Sequence, residues 1–147
     1  MVCLDSSIVI DILRGKESVE AIENKFDSSN EEIFIPSPVI IELIRGIYLK
    51  DAIRNIKEKE KEEINNFLYS FVVLDLNKES AIKAGEIEAE LRNAGEMIDL
   101  EDIMIGAITL QNNETLITRN KKHFEKIRGL TFFLVMDNIY KYSFKSH

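Results

Sequence analysis

Three carboxylates in this chain keep company that acids usually avoid. Asp5 lies between Val2-Cys3-Leu4 and Ile8-Val9-Ile10, and Glu42 lies inside Pro38-Val39-Ile40-Ile41-Glu42-Leu43-Ile44. Asp102 immediately precedes Ile103-Met104-Ile105-Gly106-Ala107-Ile108. An unpaired buried carboxylate is strongly disfavoured, so three acids set beside core segments call for a shared counter-charge. Hard oxygen donors suit Mg²⁺ or Mn²⁺ rather than zinc. Such an ion polarises a phosphate oxygen and lowers the pKa of a bound water, the chemistry of phosphodiester hydrolysis. Taken singly, most of these acids have a plainer reading. Asp5 can cap the helix that follows, and Asp102 is a favourable charge in a helix's first turn. Asp99 reads as an N-cap, with Asp99-x-x-Asp102 resembling a capping box in which Asp replaces Glu. Glu42 has the weakest such reading, and the case rests on the three acids together.

The elements that must position them follow from the pattern of apolar residues. Val2–Leu4 reads as a short buried strand and Ser6–Arg14 as a helix stopped by Gly15. Glu17–Phe26 is a second helix, followed by a polar turn at Asp27-Ser28-Ser29-Asn30. Ile33–Ile35 is a second strand. Ser37 then reads as an N-cap with Pro38 at the first helical position, opening a helix to about Lys50. Asp51–Ser70 holds one or two further helices, the run Lys57-Glu58-Lys59-Glu60-Lys61-Glu62-Glu63 being a solvated face. Phe71–Leu74 is a third strand, Glu79–Asn93 a helix, and Asp99 starts another that runs to about Asn112. Thr115–Thr118 and Thr131–Val135 are the fourth and fifth strands, and the tail from Asp137 is left unassigned. Strands separated by helices imply an α/β fold: one domain over residues 1–147, with a mainly parallel sheet of about five short strands and helices on both faces. Ligands in such sheets gather beyond the carboxyl ends of the strands. Asp5 ends the first strand, Glu42 lies about one turn into its helix, and Asp102 lies in the first turn of its own.

The bulk composition narrows the class. The 147 residues suit one domain with one core, and no repeat or linker divides them. A single cysteine excludes an internal disulfide framework and suits a reducing cytoplasm. One Cys and two His do not make up a structural zinc site of the usual kind. The apolar stretches are too short to span a bilayer, and no basic segment opens the chain as a signal peptide would. The formal charge of −7 counts against a general nucleic-acid coat protein. It leaves room for a nuclease, because bound cations reverse the local field.

Four segments in order resemble the motifs of PIN domains. Leu4-Asp5-Ser6-Ser7-Ile8-Val9-Ile10-Asp11 resembles the first and Pro36-Ser37-Pro38-Val39-Ile40-Ile41-Glu42-Leu43 the second. Ile98-Asp99-Leu100-Glu101-Asp102-Ile103-Met104-Ile105-Gly106-Ala107 resembles the third, and Leu116-Ile117-Thr118-Arg119-Asn120-Lys121-Lys122-His123-Phe124 the fourth. They span nearly the whole chain, and its size and layout look most like the VapC toxins of toxin–antitoxin pairs. The resemblance implies a metal-dependent endoribonuclease whose metal acids are Asp5, Glu42 and Asp102. It adds Ser6 beside the first acid, Thr118 beside the fourth motif, and Asn120, where many relatives carry Asp. Asn keeps an oxygen but loses a charge, which bears on a second ion; Asp99 or Glu101 would then compensate. Arg119, Lys121, Lys122 and His123 would sit near the rim and touch RNA phosphates, or else form a basic turn before Phe124 packs into the core. The same resemblance implies a homodimer held by apolar helix faces. It also implies a VapB-like antitoxin whose tail covers the acidic pocket, with an Arg paired to the carboxylates.

Other readings compete. A phosphatase of the haloacid-dehalogenase type also places Asp after the first strand, but needs a second Asp two residues on, where this chain has Ser7. A non-toxin RNA-processing nuclease shares all four motifs. A PIN-fold protein kept for binding alone draws support from Asn120 and the net charge.

Overall fold

A computed structural model describes residues 2–25, 32–49, 54–136 and 139–143. The polar turn expected at Asp27–Asn30 lies outside the described residues. The elements run β1 (Val2–Leu4), α1 (Ser6–Leu13), α2 (Val19–Lys25), β2 (Ile33–Pro36), α3 (Ser37–Leu49), α4 (Arg54–Leu68) and β3 (Val72–Leu74). They continue with α5 (Lys78–Asn93), α6 (Leu100–Gln111), β4 (Thr115–Thr118), α7 (Lys121–Phe124), β5 (Phe132–Met136) and β6 (Ile139–Ser143).

The sheet order is β3-β2-β1-β4-β5-β6. The first five strands pair in parallel. β6 turns back antiparallel on β5, so the tail left unassigned in the sequence supplies an edge strand. Successive strands step one way from β1 to β3, and the chain then returns to the other side of β1 for β4. Right-handed crossovers with such a reversal put helices on both faces and open a crevice between the carboxyl ends of β1 and β4. There the register sets Leu4 beside Ile117, so Asp5 emerges next to Thr118.

The inner strands are apolar along their length, as strands covered on both faces must be. Cys3, Leu4, Ile35, Leu116 and Ile117 are fully buried. Cys3 packs as a small core residue: burial pushes its thiol up to about 12, out of reach of nucleophilic chemistry. Gly15 ends α1 with φ of 71°, a conformation glycine adopts without strain. Two local expectations need correction. Ser37 is the first residue of α3 rather than a free cap, and its hydroxyl accepts the Leu76 N–H at 3.2 Å, tying the start of α3 to the chain beyond β3. Asp99 occupies the N-cap position of α6 but makes no side-chain cap, and the Asp102 carboxylate turns to His123 instead. No capping box forms: Asp102 is engaged by His123, and Asp99 stays exposed without a cap bond.

Candidate active site

Asp5 is the most firmly held of the three acids. Its side chain accepts the Ser6 N–H at 2.7 Å, so it caps α1. Its second oxygen accepts from the Ser7 hydroxyl at 2.9 Å and the Thr118 hydroxyl at 2.6 Å. Each of those hydroxyls also accepts a backbone N–H from the loop after β4: Arg119 N to Ser7 Oγ at 3.1 Å, and Asn120 N to Thr118 Oγ1 at 2.9 Å. One carboxylate at the end of β1 therefore fixes the loop at the end of β4. Capping and ligation are not alternatives here, since a carboxylate has lone pairs for both.

Glu42 reaches the crevice from α3. The Ser6 hydroxyl donates to its Oε2 at 2.9 Å, while its Oε1 is buried and has no hydrogen-bond partner among the described residues. Burial and the neighbouring charges of Asp5 and Asp102 push its carboxyl up to about 7, against the pull of the Ser6 hydrogen bond. Asp102, in the first turn of α6, is also raised, first by burial, with the His123 hydrogen bond pulling the other way. Ligand oxygens of Asp5, Glu42 and Asp102 all lie within 4.8 Å of one another. Three acids this close, two of them pushed toward protonation and one oxygen orphaned, fit a hard divalent cation.

The fourth motif folds differently from a simple basic rim. Asn120 and His123 both turn inward: His123 Nδ1 lies 2.6 Å from Asp102 Oδ2 and 2.8 Å from Asn120 Nδ2. Phe124 packs into the core with no exposure. Lys121 and Lys122 are exposed, with Lys121 Nζ 3.9 Å from Glu125. Arg119 is a brace: its guanidinium pairs with Asp11 and donates to the Val135 carbonyl at 3.3 Å. Glu101 pairs with Arg45, three residues beyond Glu42, and is thereby held below the usual carboxylate range. That pair links α3 to α6 at the mouth of the crevice. Ser7, Asp11, Arg45 and the inward pose of His123 are what sequence reasoning did not find. Asp11 carried a signal, since it too is an acid between apolar residues, Ile10 and Ile12.

Residues 2–130 match the PIN domain family model. The chain belongs to the PIN domain family. It is similar to a VapC ribonuclease of Pyrococcus furiosus, 34% identical over 73 residues that cover 50% of this chain and 49% of that protein. It is also similar to ribonuclease VapC2 of Rickettsia felis, 30% identical over 74 residues, 50% of this chain and 55% of that protein. In these matches the chain spans about half the length of the curated relatives. The fold is similar to a chain in the crystal structure of Rickettsia felis VapBC2 bound to a DNA fragment from their promoter. There the TM-score is 0.76 and the identity 25%, covering 90% of this chain and 97% of that one. For DNA-bound VapBC from Salmonella typhimurium the TM-score is 0.75 and the identity 27%, covering 89% and 95%.

Proposed function

We propose that the protein is a divalent-metal-dependent endoribonuclease that hydrolyses RNA phosphodiester bonds, and that it is the toxin of a VapBC-type toxin–antitoxin pair working in the cytoplasm. The observation that carries this reading is the meeting of Asp5, Glu42 and Asp102 at the sheet's reversal point, with one buried glutamate oxygen left for a ligand. Asp5, Glu42 and Asp102 would hold Mg²⁺ or Mn²⁺. When bound, the ion supplies a Lewis acid for a phosphate oxygen and a more acidic water.

The chain's own residues prepare that site. Ser6, Ser7 and Thr118 orient the two oxygens of Asp5 by donating to them. Glu42 would meet the ion with its carboxylate, and the Ser6 hydroxyl that donates to Oε2 at 2.9 Å fixes its pose. Asn120 offers an amide rather than a charge beside Asp102. Lys121 and Lys122, exposed on α7, are placed to meet RNA phosphates, while Arg119 serves that loop from within.

A groove of about 340 Å³ opens beside Glu42, lined by Ile10, Leu13, Leu43, Ile47, Glu63 and Ile64 among others. Apolar walls with acids at the edge suit the tail of a VapB-like antitoxin carrying an Arg toward the carboxylates. Exposed Ile41, Tyr48 and Leu49 on α3 support a homodimer.

The test is cleavage of a mixed structured RNA by purified protein with and without Mg²⁺ or Mn²⁺, beside Asp102→Asn prepared identically. Metal-dependent cutting should fall by several orders of magnitude in the variant. Cutting retained by Asp102→Asn would place the activity elsewhere. No cutting by either protein, with RNA still bound, would favour a PIN fold used for binding.

A further inference from the structure

Arg119 reads in the sequence as one more cation at the rim, but its side chain is engaged inside the protein. The guanidinium pairs with Asp11 on α1 and donates to the Val135 carbonyl on β5 at 3.3 Å. The Asp11 side chain is 13% exposed and that of Arg119 29%. An ion pair so withdrawn from water is weak evidence for stability; what its geometry does is fix a loop. The Arg119 N–H donates to Ser7 Oγ at 3.1 Å, and that hydroxyl donates to Asp5 Oδ2 at 2.9 Å. One residue on, the Asn120 N–H donates to Thr118 Oγ1 at 2.9 Å, and that hydroxyl donates to the same carboxylate oxygen at 2.6 Å. A hydroxyl turns freely about its C–O bond, and an N–H directed at its lone pair leaves its proton for the carboxylate. The loop after β4 therefore decides where both protons point, and Arg119 anchors that loop to α1 and to β5.

We propose that Arg119 is a positioning residue for the cleavage, acting through Ser7 and Thr118 on Asp5 Oδ2, and not a contact to RNA phosphates. The inference rests on the metal-dependent ribonuclease reading given above and deepens it. Asp11 shares the role. It lies one turn beyond Ser7 on α1, so the ion pair and the Arg119 N–H clamp the loop onto the helix that Asp5 caps. The shape of the guanidinium matters as much as its charge. Nε meets Asp11 while Nη1 meets Val135, two directions that a rigid planar fork covers at once and an ammonium does not.

Arg119→Lys separates the two roles, because it keeps the charge and loses the fork. RNA cleavage is followed over a range of RNA concentrations, and Mn²⁺ is titrated into metal-free protein by calorimetry. The full-length wild type, Arg119→Lys, Ser7→Ala and the double variant are compared. Arg119→Lys should lose about 10–100-fold in kcat and about tenfold in Mn²⁺ affinity, as groups that orient metal-site ligands do. Its KM should stay within about twofold of the wild type. The double variant should fall no more than about threefold below the weaker single variant, because both losses run through one chain of bonds. A risen KM with kcat unchanged would make Arg119 a phosphate contact and overturn the proposal. Losses that multiply in the double variant would reduce it to a general support of the fold and overturn it too. Mn²⁺ affinity equal to the wild type's overturns the positioning of Asp5 whatever happens to the RNA. If the wild type cuts no RNA but the variant still binds Mn²⁺ about tenfold more weakly, the ribonuclease reading falls and the positioning role stands. No Mn²⁺ uptake by the wild type overturns both.

Discussion

Glu42 shows how the site's charge acts on the fold at the scale of one residue. Its carboxyl rises from 4.5 to about 7 because burial removes water and Asp5 and Asp102 stand close. Without metal, the folded protein therefore holds a proton between these values that the unfolded chain has already lost. The stabilisation is fully present below 4.5 and fades as pH climbs through about 7. Glu42→Gln removes the titration. Measured without divalent ions at pH 8, the variant should gain about 1 kcal/mol after discounting for the water that reaches the group. Its melting temperature should be flat over the window in which the wild type declines, and a parallel decline in both would refute the assignment. The metal-bound protein should behave oppositely: binding expels the proton, so metal affinity should drop as pH falls below about 7. The acids that do this were legible because each stood among apolar residues. His123 was not. Its neighbours Lys121 and Lys122 suggest a basic turn, and only the single turn of α7 swings the ring toward Asp102. The partner lies 21 residues away on another helix, which local pattern does not encode.

The element that sets the geometry is α6, which carries Asp102 one turn before Gly106. A Cβ on Gly106 would stand 2.6 Å from the Cδ1 of Ile127, a fully buried side chain. The missing side chain therefore lets α6 close on the segment after α7, and so brings Asp102 to His123. Gly106→Ala gains about 1 kcal/mol of helix propensity but must push Ile127 aside in a packed core, at about 1–3 kcal/mol. A net loss of roughly 1 kcal/mol is expected from denaturant unfolding. Adding Ile127→Val, which removes the clashing methyl, should recover part of it; no recovery would mean the strain lies elsewhere. The five parallel strands and the helices between them were legible because long apolar runs and polar turns alternate. β6 was not, since an edge strand is defined by backbone pairing with β5, from Phe132↔Ser143 to Met136↔Ile139, rather than by burial on two faces. The start of α6 misled in a different way. Asp99 and Asp102 carry the residue types of a cap, but Asp99 makes no cap bond and the crevice draws the Asp102 side chain to His123.

Over the whole molecule, a net charge of −7 would meet the proposed RNA substrate with the same sign. Steering by lysines is weak here, because Lys121 and Lys122 are outnumbered by acids across the chain. If cations are what reconcile protein and RNA, they must also hold the fold together, since only the folded chain gathers Asp5, Glu42 and Asp102 from β1, α3 and α6. Binding to the folded state alone adds about 2.7 kcal/mol at an ion concentration 100 times the dissociation constant. For a domain of this size that is roughly 5–10 °C of melting temperature. Differential scanning calorimetry of metal-free protein against a Mn²⁺ series should show the rise, growing with the logarithm of concentration and reversed by chelator. Asp5→Asn tests where the ion sits, because Asp5 contributes to the oxygen cluster but not to the Asp99–Asp102–His123 group. Its shift should shrink markedly. An undiminished shift in Asp5→Asn would locate the stabilising ion away from the crevice, and with it the link between this chain's acidity and its chemistry would be lost.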